Sequence, residues 1–200
     1  MFSHLRPALV MLIGFSILTG LAYPLAVTGI AQALLPWQAQ GSLVGRGGKI
    51  VGSAQIGQNF AAPRYFHPRP SATTEPDPKD ASKTIAVPYA ADNSAGSNLG
   101  PTARALVDRV KDDAAKLQAE NPGVPIPADL LTTSASGLDP DISPDAAAFQ
   151  VPRVAKTRGM SEDALRVIVA AHTTPRLFGL FGEPHVNVLA LNIALDDAAK

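Results

Sequence analysis

The chain contains no cysteine, which excludes disulfide frameworks, thiolate nucleophiles, cysteine-ligated zinc and iron–sulfur clusters together. It assigns no compartment, because a chain without thiols tolerates both sides of a membrane. Net charge is lacking too. The 17 Lys+Arg balance the 17 Asp+Glu, and without a basic footprint nucleic acid is excluded as the expected partner. Cofactor loops are also missing: despite glycine at 45, 47, 48, 52 and 57, no G-x-x-x-x-G-K-[ST] or G-x-G-x-x-G string occurs. No G-x-S-x-G is present, and His4, His67, His172 and His185 share neither H-x-x-x-H nor H-x-H spacing.

The most informative absence is local. From Pro7 to Gly45 there is no Asp, Glu, Lys or Arg, and Ala8–Leu35 is apolar with only Ser, Thr, Gly and Gln interruptions. As a helix this stretch is ~42 Å long against a hydrocarbon core of ~30 Å. It is expected to be a transmembrane helix over 8–35, preceded by a short tail over 1–7. Ala31-Gln32-Ala33 has the form of a signal-peptide cleavage site, but signal cores run only about 7–15 residues. Pro24 near the middle predicts a kink. Ser16 with Gly20, and Gly29 with Ala33, are small-xxx-small pairs. With Pro24 they are the candidates for packing against a second membrane helix. Flanking positives are nearly even, His4 and Arg6 against Arg46 and Lys49, so the positive-inside rule does not decide orientation. A tail this short is easily left in the cytoplasm, which puts the rest of the chain outside.

What is abundant lies beyond the span. The chain has 18 prolines and 16 glycines, and most of them fall after residue 60 in turn-like clusters. Residues 36–200 are therefore expected to form one loop-rich α+β soluble domain. Leu43–Phe60 is expected to be a hairpin turning at Gly47-Gly48. Ala61–Ala90, dense in proline, is expected to be an ordered excursion or large loop. A helix is predicted from Pro101 or Thr102, with Ala103, Leu106, Val107, Val110, Ala114 and Leu117 on one face, ending at Asn121-Pro122-Gly123. Ser143-Pro144 opens a second helix running to Gly159, with Pro152 an awkward interior guest, and Ser161 caps a third over Glu162–Thr174. Val186–Asp196 alternates Leu189, Leu191, Ile193 and Leu195 against Ala190, Asn192, Ala194 and Asp196. That pattern predicts a strand, and the terminal strands are expected to pair.

Candidate chemistry is sparse. Asp139-Pro140-Asp141 places two carboxylates close together, suited to acid–base work but also to turns and helix caps. Arg69-Pro70-Ser71-Ala72 and the string from Asn93 to Gly100 are the other dense polar segments. In the second, Ser94, Gly96, Ser97, Asn98 and Gly100 suit either an anion-binding helix start or turn geometry. A membrane-anchored enzyme using Asp139, Asp141 and a histidine is the alternative to a chain that does no chemistry of its own.

Several strings resemble the C chain of the bacterial Kdp potassium-transporting ATPase, in order and over nearly the whole chain. They are Tyr23-Pro24-Leu25, Ile56-Gly57-Gln58 with Phe60, Tyr65-Phe66 leading to Arg69-Pro70-Ser71-Ala72, and Ser94–Pro101. Ser136-Gly137-Leu138-Asp139-Pro140 with Ile142-Ser143-Pro144, Gln150-Val151 with Arg153-Val154-Ala155, and Val186–Asp196 continue the series. The resemblance implies a non-catalytic accessory subunit of an ATP-driven, high-affinity potassium importer in the bacterial inner membrane. It implies a channel-like A subunit, a P-type B subunit and a small F subunit as partners, with membrane lipid around the span. Potassium and ATP would be handled by the complex, with no cofactor bound by this chain alone. The family is described as a catalytic chaperone that raises ATP affinity in the B subunit, with its globular part in the periplasm. A periplasmic domain cannot touch cytoplasmic ATP, so such an effect would have to act at a distance through the complex. The Ser94–Gly100 string has been likened to an ABC-transporter signature. Ala95 stands here in place of a usual glycine, Asp141 where histidine is common, and Pro152 within the helix after Gln150. The D-K-T-G string of a P-type phosphorylation site is absent and would belong to the B subunit.

Overall fold

The computed structural model describes residues 2–198; Met1 of the expected tail and the last two residues of the expected soluble domain lie outside them. The chain forms two compact units that divide between Ser53 and Ala54.

The first unit is dominated by a helical run of 30 residues, Leu5–Leu34. It comprises α1 (Leu5–Ile17), a π-helical turn (Leu18–Ala22) and α2 (Tyr23–Leu34). Pro24 has no N–H to offer the Gly20 carbonyl. Where a kink is expected, the chain widens one turn so that the Tyr23 N–H donates to Leu18 O, and the helix continues. No side chain of this run is buried, and one helix of this kind is long and apolar enough to cross a membrane. Pro36 opens a short α3 (Pro36–Ala39), and Trp37 Nε1 donates to Leu43 O at 3.0 Å. Strands β1 (Leu43–Arg46) and β2 (Lys49–Ser53) pair antiparallel. Gly47 and Gly48 turn between them with φ of 58° and 77°, the geometry that two-residue hairpin turns demand. The hairpin ends at Ser53 rather than Phe60, because the chain then turns away at Ala54 and Gln55.

The second unit is built around α5 (Pro144–Arg158), which buries Ala146, Ala147, Phe149, Gln150, Val151, Val154 and Ala155. Ser143 starts it as the sequence predicts, its side chain accepting from Ala146 N–H, and Gly159 ends it at φ 66°. Pro152 does not shorten it. The helix α6 (Glu162–Ala171) is capped by Ser161. It stops before the expected Thr174, and Thr173–Thr174 form β6 instead. Strands β5 (Asp141–Ile142) and β6 flank β7 (His185–Asn187), all antiparallel. The expected pairing of terminal strands does not occur, since β1 and β2 pair only with each other.

The chain's last described element overturns another expectation. Val188–Ala198 is a helix, α7, not a strand. Alternating Leu and Ala mimics a strand period, yet both residues are strong helix formers, and Asn187 Oδ1 caps the Ala190 N–H at 3.0 Å. The buried set Val188, Leu189, Leu191, Asn192 and Leu195 follows helical spacing. A hairpin and a further helix belong to the same unit. Within the proline-rich 61–90 segment, expected as an ordered excursion or large loop, β3 (Thr74–Asp77) and β4 (Asp80–Ala86) form a hairpin. The helix α4 (Arg104–Glu120) begins slightly later than expected and buries no residue fully, though Leu117 packs on the core. That core joins Phe66, Leu130, Ile142 and residues of α5, α6, β7 and α7.

Candidate functional site

Three strings distant in the sequence close into one polar knot. Arg69 Nη1 meets Asp139 Oδ2 at 2.8 Å, and Asp139 Oδ1 accepts the Asp141 N–H at 3.1 Å. Ser71 Oγ donates to Gly137 O at 2.7 Å and accepts the Tyr89 N–H at 3.1 Å. Thr73, itself buried, donates to Val87 O at 2.6 Å and accepts the Ala90 N–H at 3.1 Å. The Tyr89 hydroxyl donates to Arg69 O at 2.8 Å, and its pKa is pushed up, first by burial and then by the Asp139 charge. Ser94 Oγ and Ala95 N–H both donate to Ser136 O. Two glycines permit this closeness. A Cβ on Gly137, whose φ is 67°, would lie 2.5 Å from Ala95 O, and one on Gly57 would lie 2.5 Å from Asp139 O.

A second set of side chains pins the preceding segment. Gln150 Oε1 accepts the His67 N–H at 2.7 Å while its Nε2 donates to His67 O at 3.1 Å. Asn192 treats Phe66 in the same way, at 2.9 and 3.0 Å. Two buried carboxamides thus stand in for a neighbouring strand, one from α5 and one from α7. Beside them Asp196 accepts from Arg158 at 2.9 Å, Arg64 at 3.0 Å and the Tyr65 hydroxyl at 3.0 Å. Burial pushes the Asp196 carboxyl up, but the three donors outweigh it and hold it below the ordinary range. In the sequence Gln150 stands out only within a string that carries the resemblance, and Asn192 and Asp196 only as the polar side of an alternation. The signal available was a carboxamide at an inward position of each helix.

The remaining candidates are distributed as follows. Ser97 Oγ accepts from Thr133 Oγ1 at 3.4 Å, and a Cβ on Gly96 would meet Ala135 O at 2.9 Å. Asn98 has φ 51°, and Gly100 O accepts the Ala103 N–H at 2.9 Å. The Ser94–Gly100 string is therefore irregular chain laid against 133–136, and α4 starts beyond it at Arg104, so no anion-binding helix start lies within it. Asp141 accepts from Asn187 Nδ2 at 3.0 Å and lies 4.0 Å from His185 Nε2. Its carboxyl is raised, chiefly by burial. His67 and His172 are occupied elsewhere, at Ala62 O and Ile168 O. Asp141 thus neighbours Asp139 on one side and His185 on the other, and Asp139 is held by Arg69. An open cleft of about 810 Å³ runs beside the knot, lined by Arg69, Ser71, Tyr89, Ser97, Arg109 and Gln150 among others. Its cations are paired, Arg109 with Asp113 at 3.1 Å and Lys116 with Asp113 at 3.3 Å. Among the described residues no group of three or more His, Asp or Glu could hold a metal.

In the first unit, a Cβ on Gly14, Gly20 or Gly29 would meet nothing within 4 Å. Ser16, Pro24 and Ala33 lie on the same unburied run. Among the described residues, no close contact accounts for glycine at positions 14, 20 and 29.

Comparison with known proteins matches residues 5–197 to the family described as "KdpC: K+-transporting ATPase, c chain". The Potassium-transporting ATPase KdpC subunit of Rhodopseudomonas palustris is 64% identical over 198 residues, covering 99% of this chain and 100% of that one. The subunit of the same name from Methylobacterium nodulans is 64% identical over 199 residues, covering 100% and 99%. That of Methylorubrum extorquens is 64% identical over 200 residues, covering both chains in full.

Proposed function

Since the chain belongs to the KdpC family of K+-transporting ATPase c chains, a non-catalytic subunit of the Kdp complex, we propose that it serves as the complex's membrane-anchored accessory. The Leu5–Leu34 run packs among the transport subunits, with Ser16, Gly20, Gly29 and Ala33 towards a partner helix. Residues 36–200 stand outside the cytoplasm, where they stabilise the assembly or shape potassium access. The A, B and F subunits are the partners, and the aspartyl-phosphate chemistry belongs to the B subunit. An effect on ATP affinity would be transmitted through the complex, because a domain outside the cytoplasm cannot touch cytoplasmic ATP.

The observation that carries this reading is the unburied apolar run, whose glycines meet no close contact among the described residues. The knot supports it, because Arg69, Ser71 and Asp139 spend polar groups on ion-pair and main-chain bonds that hold the surface together. Two experiments test it. Purification of the tagged chain from native membranes should recover a P-type ATPase with a large multi-span subunit, and recovery of the chain alone would count against it. Removing the chain should impair assembly or potassium-stimulated ATP hydrolysis; if both were untouched, the accessory role would be wrong.

A further inference from the structure

The connection between β6 and β7 projects a tip with no polar side chain. From Leu177 to Gly182 the sequence is Leu-Phe-Gly-Leu-Phe-Gly, and Leu177, Phe178, Leu180 and Phe181 are 61, 83, 76 and 65% exposed. No comparable cluster of large apolar side chains occurs elsewhere on the described surface of the second unit. The backbone of this tip is closed on itself. Leu177 N–H donates to Phe181 O and Phe181 N–H to Leu177 O, at 2.9 and 3.0 Å. Gly179 N–H donates to Arg176 O at 3.0 Å, and Leu180 N–H to Leu177 O at 3.1 Å. At the base Arg176 pairs with Glu183, and Thr174 pairs with His185 across the sheet. Positive φ at Phe178 and Gly179, 54° and 73°, holds the turn.

We propose that this tip enters the interface of the lipid bilayer. Main-chain groups cost several-fold less to move out of water when they are already bonded to each other, and four of the tip's N–H groups are. Protein-docking anchors are enriched in Tyr, Trp and Arg and poor in Leu; this tip offers Phe and Leu, residue types that interfacial segments bury at the headgroup–acyl boundary. All four side chains are exposed at once, so covering them takes a medium that surrounds the tip. The absence of a basic excess, with Arg176 neutralised by Glu183, makes the contact independent of anionic lipid. The inference rests on the anchor reading of Leu5–Leu34. Tethering to the membrane keeps the domain at high effective concentration beside the bilayer, so a small apolar tip suffices.

The absence of native cysteine makes the test direct. The full chain carrying Phe178→Cys, labelled with an environment-sensitive fluorophore, is reconstituted in phosphatidylcholine vesicles with and without nitroxide-bearing lipid. Alkaline carbonate extraction of the same vesicles reports separately on the anchor. The label is expected to shift to the blue and to lose most of its emission to the nitroxide lipid. Adding Leu180→Ser and Phe181→Ser should restore that emission. A water-like, unquenched label in a chain that resists extraction overturns the proposal. So does a label shielded only when the other subunits are added and still unquenched by lipid, which would make the tip a plug for a protein socket.

Discussion

The two units of this chain obtain their order by opposite means. The Leu5–Leu34 run holds its shape through bonds local to the helix, including Thr19 Oγ1 to Phe15 O, with no buried side chain and a π turn before Pro24. The second unit depends on bonds between residues far apart in the chain, such as Gln150 to His67 and Asn192 to Phe66. Substitution should therefore act on association in the first unit and on folding in the second.

The largest effect is expected where two constraints coincide. Gly137→Ala would place a Cβ 2.5 Å from Ala95 O at a φ of 67°. Left-handed backbone and overpacking together cost about 3 kcal/mol or more, roughly 10 °C in melting temperature for a unit of this size. A melting temperature within a degree or two of the parent would show that the knot yields. Next comes Asn192→Leu, which strands both main-chain groups of Phe66 in the core and should cost about 3 kcal/mol in denaturant unfolding. Gly20→Leu sharpens the contrast: the isolated chain should unfold unchanged, since nothing lies within 4 Å, while co-purification of partner subunits falls. Ser143→Ala removes the cap that bonds Ala146 N–H at 3.0 Å and should cost about 1 kcal/mol.

The smallest effects are those of pH, and they have opposite signs. Asp196 is held below its ordinary value of 3.8, so its stabilisation is present above that pH and is lost as pH falls through the lower folded value. Asp196→Asn should flatten the acid limb of the stability curve. Asp141 is raised above 3.8, so its contribution is full below that pH and is lost as pH rises through the folded value. Asp141→Asn should therefore gain in relative stability towards neutral pH, an advantage that fades in acid. Parallel pH profiles for the two variants would contradict these assignments.

Much of the second unit's helical content was legible locally. Ser143-Pro144 and Ser161 announced α5 and α6 because caps act within three residues. The α7 helix was not, because Val186–Asp196 satisfies a strand's alternation as well as a helix's stripe. The decision came from the surfaces that Leu191, Leu195 and Asn192 meet. The site was half visible. Arg69, Ser71, Ser94, Gly96 and Asp139 stood out as polar strings, but their closure into one knot depends on Gly57 and Gly137 letting backbone approach backbone.

Sequence by itself determined the apolar run, the capped helices and the exclusion of thiol and phosphate-loop chemistry. Each follows from composition or from bonds spanning a few residues. Tertiary structure alone decided that Val188–Ala198 is helical, that β7 lies between β5 and β6, and that two carboxamides pin Phe66 and His67. Those outcomes depend on which distant groups share a dry interior, where an unpaired polar atom is costly and only the folded chain supplies its partner.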